Sequence, residues 1–361
     1  MLRLKTAVLL LALAFFLVGE RAAAVDFTTA VPLPLLGTDT YYGQQGGLYP
    51  GGVSNPPAAY AAELDAVDCT AGPVVVIGMS MAQNAYSGWS NFFNLPEVND
   101  DLVVVDGTLG SNQQRFMDPD YFGWIVGISR LPAGTTAADV RCIIYHNAIS
   151  GPAGEFVPYA ESARDAFAVT NDIIAKKYPN VALIYINSRH YGYSPTSKQP
   201  EPFAYWDGFA VKWLIEARIS CAADCGPLVD WGAYQWVDEW ANHSEYYQVD
   251  GLHLSGAGQL ESGAIWHAYY SEATHWYLDA PAPTPTPTPD QTDTPTAAPS
   301  PSSTPTSTAA ATATAAPTET ATPAPTSTAV LNTPTPAATA VCPRDWCPPW
   351  WVTLPIVEVS D

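Results

Sequence analysis

The chain has 361 residues and a formal net charge of −21, from 14 Lys and Arg against 35 Asp and Glu. So few cations argue against a nucleic-acid partner, because such binding is driven by basic side chains that displace counterions. They also disfavour an anionic membrane surface.

In chain order, the first segment is a targeting signal. "MLRLK" carries Arg3 and Lys5, "TAVLLLALAFFLVG" is a short apolar core, and Ala22–Ala24 offer small residues for cleavage. Residues 1–24 are read as a signal peptide, with the mature chain starting near Val25. No later run is long enough to cross a bilayer, so the mature chain is expected to have no transmembrane span and to be secreted or held at the cell surface. Residues 25–57 are read as an N-terminal extension, followed by a domain over 58–279.

Within the domain, "PVVVIGMS" from Pro73, "DLVVVDGTLG", "DVRCIIYHNA" from Asp139 and "NVALIYINSR" from Asn180 are rich in Val and Ile. Being apolar on both faces, they predict buried parallel strands. Between the last two, Ala163, Phe167, Ile174 and Tyr178 recur at helical intervals. Further helices are predicted in "FAYWDGFAVKWLIEARIS" and "SGAGQLESGAIWHAYYSEATHWYL". Alternating strands and helices give an α/β three-layer sandwich around a parallel, flavodoxin-like sheet, whose ligands collect at the carboxyl ends of the strands. After it, residues 280–341 are almost wholly Pro, Thr, Ser and Ala, a disordered spacer and a candidate for O-glycosylation. The tail 342–361 contains "WCPPWW", a candidate element for cell-surface attachment.

An exported chain can oxidise its six cysteines. Cys221 pairs locally with Cys225 and Cys342 with Cys347, which leaves Cys69 for Cys142. In a sheet of order 2-1-3-4-5 the strands beside Cys69 and Cys142 are neighbours, which predicts a bridge at the end opposite the ligand site.

The residues that carry chemistry stand at strand ends. Ser80 ends the first strand, Gly107 and Gly110 follow the second, and Asn147 ends the third. "VDGLHLS" places Asp250 three residues before His253, so that a carboxylate can orient the imidazole and leave its other nitrogen as a base for a serine. Each residue also has a plainer reading. A Ser after a strand can be a helix cap, Asp-Gly is a common turn, and Ser255 can cap the last helix. His146 and His190 are read as packed or cleft-lining residues without a catalytic role. His243 with Asp250 and His253 is the one zinc alternative, and it lacks the tight helical pair typical of catalytic zinc.

The order Ser, Gly, Asn, Asp-x-x-His resembles the SGNH, or GDSL-like, hydrolases over about Pro73 to Tyr277. The resemblance implies Ser80 as nucleophile, His253 as base and then acid, and Asp250 as its orienting carboxylate. It implies an oxyanion hole from the Ser80 amide, the Asn147 side chain and a glycine amide, with Gly110 preferred to Gly107. The chain departs from the usual Gly-Asp-Ser in "GMS", and from Gly-x-Asn-Asp in "YHNA". A closer resemblance to a little-characterised secreted branch of the superfamily rests on "IGMS", "VVVDG", "SRHYGY", "EPFAYWDGFAVKWLIE" and "DGLHLS". It implies that Arg189, Tyr191, Glu201 and Lys212 surround the cleft.

The expected activity is that of a serine esterase removing acetyl or another small acyl group from carbohydrate, with no metal or organic cofactor. Trp interleaved with acids in "VDWGAYQWVDEWANH" suggests a wet groove for sugar rings. The alternative is a non-catalytic carbohydrate-binding or surface protein that keeps the fold; a lipase or a peptidase also fits the motifs.

Overall fold

In the computed structural model, residues 30–279 are described. Their helices and strands run, in order, α1 (Leu33–Leu36), β1 (Thr40–Tyr41), β2 (Gln44–Gln45), α2 (Ala58–Asp65), β3 (Val74–Gly78) and α3 (Ser80–Trp89). There follow β4 (Val104–Asp106), α4 (Gln113–Phe116), α5 (Gly123–Ser129), β5 (Cys142–His146) and α6 (Phe156–Lys177). The last are β6 (Leu183–Ile186), α7 (Phe203–Ile219), β7 (Leu228–Trp231) and α8 (Gly256–Ala273). The five longer strands form one sheet in the order β4-β3-β5-β6-β7, every neighbour parallel. This is the 2-1-3-4-5 order that the resemblance to SGNH hydrolases implies, and the three-layer α/β class is as the sequence predicts.

The β-branched runs fold this way because both faces of the sheet are covered. Alternate residues point to opposite sides. Val75, Ile77, Ile143, Tyr145, Ile184 and Ile186 enter one core with Phe167 and Ile174 of α6 and Phe209 and Ile215 of α7. Val74, Val76, Ile144, Leu183 and Tyr185 enter the other with Trp89 of α3 and Trp266 and Tyr270 of α8. In that second layer α3 and α8 touch backbone to backbone. A Cβ on Gly88 would stand 1.7 Å from the Gln259 carbonyl oxygen, and one on Gly263 would stand 2.2 Å from the Gly88 carbonyl carbon. Only glycine permits that approach. It fixes the helix that begins at Ser80 against the helix that follows His253.

Two disulfides join the pairs read from the sequence, Cys69–Cys142 with Cα atoms 5.4 Å apart and Cys221–Cys225 at 5.8 Å. Cys142 opens β5 and pairs in register with Val74 at the start of β3, so the first bridge lies at the amino end of the sheet.

Three features differ from the sequence reading. Residues 30–57, expected as an extension outside the domain, are packed into its core: Leu33 is fully buried, its amide bonds to the Tyr234 hydroxyl at 3.0 Å, and the Tyr49 hydroxyl donates to Asp230 Oδ1 at 2.8 Å. Burying a side chain such as Leu33 is worth about 1.5–3 kcal/mol, enough to hold the segment down. The fifth strand that the order 2-1-3-4-5 requires was not located in the sequence; it is β7. The tryptophans expected in a groove are instead interior, with Trp231 donating to the Leu48 carbonyl at 2.7 Å and Trp236 to Glu201 Oε1 at 2.8 Å. Among the described residues no helix is long and apolar enough to cross a membrane. The signal peptide, the Pro/Thr spacer, the tail and the Cys342–Cys347 pair lie outside the described residues.

Candidate active site

Ser80 is delivered by the turn from β3 into α3. Gly78 has φ +153°, and a Cβ there would stand 1.9 Å from the His146 carbonyl oxygen, so the "IGMS" glycine lets β3 leave the sheet against the end of β5. Met79 occupies the N-cap position in extended conformation and supplies no side-chain cap. Ser80 is therefore the first helical residue rather than the cap, and its half-buried hydroxyl donates to His253 Nε2 at 2.8 Å. The first-turn amides of α3 have no intrahelical partner and add a partial positive charge beside Ser80.

His253 is held from the other side. Its Nδ1 lies 2.5 Å from Asp250 Oδ2, while Asp250 Oδ1 accepts from the amides of Leu252 and His253, each at 3.0 Å. Partial burial raises the carboxyl pKa, but the His253 ring and those two amides outweigh it and hold Asp250 below the usual carboxylate range. With Nδ1–H directed at the carboxylate, Nε2 presents its lone pair to the serine hydroxyl. The loop is pinned by Gln248, whose amide donates to the His253 carbonyl at 2.8 Å, and by Asn84, whose Oδ1 accepts the Leu254 amide at 3.1 Å. Ser255 also caps α8, accepting from the Gly258 amide at 3.3 Å. The capping role of Ser255 and the Asp250–His253 contact thus coexist in one loop.

The two glycines after β4 part company. The Gly107 amide is spent on the Val76 carbonyl at 2.8 Å, whereas a Cβ on Gly110 would stand 4.0 Å from the Ser80 Cβ. Gly110 is the one beside Ser80. Asn147 is buried at the end of β5, with Oδ1 taking the Ala148 amide at 2.9 Å. Its Nδ2 lies near the Tyr145 hydroxyl but completes no hydrogen bond among the described residues.

Of the residues expected around the cleft, Arg189 touches the Met81 sulfur, one residue beyond Ser80. Tyr191 offers its carbonyl to His190 Nδ1 at 2.9 Å and to the Tyr247 hydroxyl at 3.0 Å. Glu201 is half-buried, and desolvation raises its carboxyl pKa; it accepts from the Gly192 amide, Trp236 Nε1 and the Tyr205 amide at 2.6, 2.8 and 3.2 Å. It braces the loop that carries Arg189. Lys212 pairs with Glu216 one turn along α7 and has no contact with the triad.

The histidines divide similarly. His243 pairs with Glu245 at 2.7 Å and stacks on Tyr246, so it does not join Asp250 and His253 as a metal ligand. His146 is buried and held neutral, pushed down to about 3 by burial and by the Arg189 charge. His190 is pushed well below its ordinary value for the same reasons. Asn84, Met81 and Gln199 escaped the sequence reading. Asn84 alone had a signal there, since it lies one helical turn beyond Ser80 and so on the same face.

No protein-family profile matches the chain, and no curated protein sequence matches it. Solved structures that resemble it include a protein of Streptococcus pneumonia provisionally described as a platelet activating factor, at 15% identity and TM-score 0.36 over 58% of this chain and 89% of that one. A GDSL-like lipase of Bacteroides thetaiotaomicron matches at 14% identity and TM-score 0.35, over 60% and 95%. An α/β hydrolase enzyme from the metagenome of Lake Arreo, Spain, matches at 13% identity and TM-score 0.35, over 55% and 95%.

Proposed function

We propose that this chain is an exported serine esterase that removes acetyl or another small acyl group from carbohydrate. The observation that carries the reading is the Ser80 hydroxyl 2.8 Å from His253 Nε2, with Asp250 2.5 Å from the opposite ring nitrogen. In the reaction Ser80 Oγ attacks the acyl carbon and its proton passes to His253 Nε2. The tetrahedral oxyanion takes the amides of Ser80 and Gly110 and, on this reading, the Asn147 Nδ2 donor. It collapses as the alcohol leaves with the proton from His253. Water, deprotonated by the same nitrogen, then releases the acid and restores Ser80. Donors aimed at such an oxyanion are worth about 2.7–4 kcal/mol each. No step requires a metal or organic cofactor.

The small apolar cluster of Met79, Met81 and Ala148, with Leu252 packed on it, flanks Ser80 and His253 in sequence and suits a short acyl group. Export and attachment through the tail rest on the signal segment, the Pro/Thr spacer and the Cys/Trp-containing tail; the carbohydrate half is suggested by the Trp and acid residues of "VDWGAYQWVDEWANH", and the burial of Trp231, Trp236 and Trp240 leaves it without a groove of its own. The non-catalytic alternative is favoured by one observation, the buried position of Asn147 Nδ2 near Tyr145. Turnover of p-nitrophenyl acetate by the purified protein separates the two. The esterase reading expects steady hydrolysis that is lost in Ser80→Ala, and a serine-linked acetyl adduct of about 42 Da at Ser80 after rapid quenching. Hydrolysis that survives Ser80→Ala, or none at all on this and on acetylated xylan, would refute it.

A further inference from the structure

Behind the triad lies a buried cation with no anion of its own. Arg189 is 1% exposed, yet among the described residues no carboxylate lies within ion-pair distance of it. Its Nη1 faces the Met81 sulfur and, at 3.5 Å, His190 Nε2; its Nη2 reaches the Gln199 carbonyl at 3.5 Å; its Nε has no partner. A guanidinium carries five donors in a fixed fork, and a thioether is a weak acceptor. The carboxylates nearest in electrostatic range, Glu201 and Asp207, are committed elsewhere, Glu201 to Gly192, Trp236 and Tyr205, Asp207 to the Tyr159 hydroxyl at 2.8 Å. Buried charges are ordinarily paired, because desolvation without a partner is costly.

The unmet groups converge on the cover over this cation. Gln199 is buried, its Oε1 has no partner, and its Nε2 meets only the Met79 sulfur at 3.7 Å. Met79 and Met81 flank Ser80 in sequence, and their sulfurs meet Gln199 Nε2 and Arg189 Nη1. Methionine is unbranched and changes rotamer easily, which makes these side chains a movable cover. A ligand would reach the guanidinium fork by displacing Met81, which is itself 1% exposed.

We propose that Arg189, with Gln199, is a specificity subsite that receives a carboxylate carried by the substrate, so that the preferred ester is anionic. The fork matches a carboxylate bidentately, and one cation with Glu201 nearby suits a monoanion better than a phosphate dianion. The carboxylate can belong to the acyl group, as in a dicarboxylic half-ester, or to the alcohol, as in an acetylated uronic acid. This rests on the esterase reading.

The test uses the full chain and four esters: mono-p-nitrophenyl succinate with neutral p-nitrophenyl butyrate, and 4-acetoxybenzoate with neutral phenyl acetate. The proposal expects kcat/KM at least tenfold higher for one carboxylate ester than for its neutral counterpart, and the pair that shows the preference identifies the source. Arg189→Met should abolish that preference, bringing the ratio to one or below, where a purely structural role would slow both members of a pair equally. A wild type that hydrolyses the neutral esters through Ser80 without preferring either anion overturns the subsite and leaves the esterase standing. Absence of Ser80-dependent hydrolysis of all four fails the esterase instead. Should Arg189→Met not fold, calorimetric titration of the Ser80→Ala protein with the same four unhydrolysed esters reads the subsite directly. Tighter binding of a carboxylate ester supports it, and equal binding within each pair overturns it.

Discussion

The two ends of the central sheet follow opposite rules. At the amino end, Cys142 opens β5 in a bridge to Cys69, and Val74, Leu183 and Leu228 begin their strands inside an aromatic core. At the carboxyl end, Ser80, Asn147 and Arg189 follow their strands directly, and polar groups go short of partners. Among the described residues, five of the ten buried polar atoms without a hydrogen bond, those of His146, Asn147, Asn187, Arg189 and Gln199, close β5 or lie in the segments after β5 and β6. Unsatisfied buried groups are few in folded proteins and gather where a ligand completes them. Stability is therefore expected to rest on the amino end and the proposed chemistry on the carboxyl end, and substitutions at each end should separate the two.

The largest effect is expected at the carboxyl end. Asp250→Asn keeps an acceptor for the Leu252 and His253 amides but presents no carboxylate to Nδ1–H, so the imidazole is left in the wrong tautomer. We expect kcat on p-nitrophenyl acetate to fall by on the order of 10⁴, with Tm unchanged within a few degrees, since an exposed substitution of this kind is worth about 0.5 kcal/mol or less. A fall under tenfold would mean that His253 does not depend on Asp250. The reverse pattern is expected at the amino end. Replacing Cys69 and Cys142 together by Ala opens a bridge of sequence separation 73 and should cost about 2–5 kcal/mol, read as a Tm lower by roughly 5–15 °C. The kcat/KM of the folded protein should stay within about twofold, and a larger loss would show that the amino end constrains the site.

What could be read in the sequence and what could not follow from the same contrast. β3, β5 and β6 were legible because both faces of each are apolar, and Asp250 with His253 because their spacing is local. β7 was not. "LVDW" is only four residues long and contains Asp230, a charge that would be costly inside a sheet. Its carboxyl is satisfied by the Tyr49 hydroxyl, and the Trp231 ring by the Leu48 carbonyl, both from the segment read as an N-terminal extension. These two long-range contacts, made by adjacent residues of one segment, thus account for both misreadings. The tryptophans read as a groove for a related reason, because acids between them suggested water; one of the acids nearby in space, Glu201, instead accepts the Trp236 ring proton in the interior. Gly110 was preferred to Gly107 on distance beyond the strand alone, and the reason it lies beside Ser80 is that the Gly107 amide is used by the sheet.

A smaller effect should appear where the ends communicate, at the crossing of α3 and α8. Gly263→Ala places a methyl group against the Gly88 backbone. Overpacking of this kind costs about 1–3 kcal/mol, and here the strain is relieved by moving the helix that starts at Ser80 away from the one that follows His253. We expect a lower Tm together with a fall in kcat of about tenfold to a hundredfold, as a misplacement of about 1 Å would give. Loss of stability alone, at unchanged kcat, would show that the Ser80–His253 distance is set by the Asn84–Leu254 bond rather than by the helix crossing.

The smallest effect concerns how the polar interior behind the site responds to pH. Asp207 on α7 is raised from 3.8 to about 7, chiefly by burial, with the Tyr159 hydroxyl and Arg189 pulling it down and Glu201 pushing it up. Between those two values the unfolded chain has released a proton that the folded chain keeps, so stability from this group is full below about 4 and is lost as pH rises through about 7. His146 works in the other direction. Burial first and the Arg189 charge second lower it from 6.5 to about 3, so on acidification the unfolded chain binds a proton that the folded one does not. His190 acts in the same sense as His146. Asp230, raised to about 7 chiefly by burial, acts in the same sense as Asp207. From pH 6.5 down to about 4 these two acids and the two histidines oppose each other, and the wild-type Tm should change little on their account. Asp207→Asn keeps an oxygen for the Tyr159 hydroxyl while removing the titration. Relative to wild type, the variant should gain stability as pH rises from 5 to 8, because over that range only the wild type loses the contribution of a carboxyl that stays protonated when folded, while the histidines are common to both proteins and cancel. Calorimetric Tm values across that range check the change in the difference between the two curves. Curves that stay parallel would mean that Asp207 keeps one protonation state from pH 5 to 8, and that the interior behind the carboxyl end stores no titratable strain.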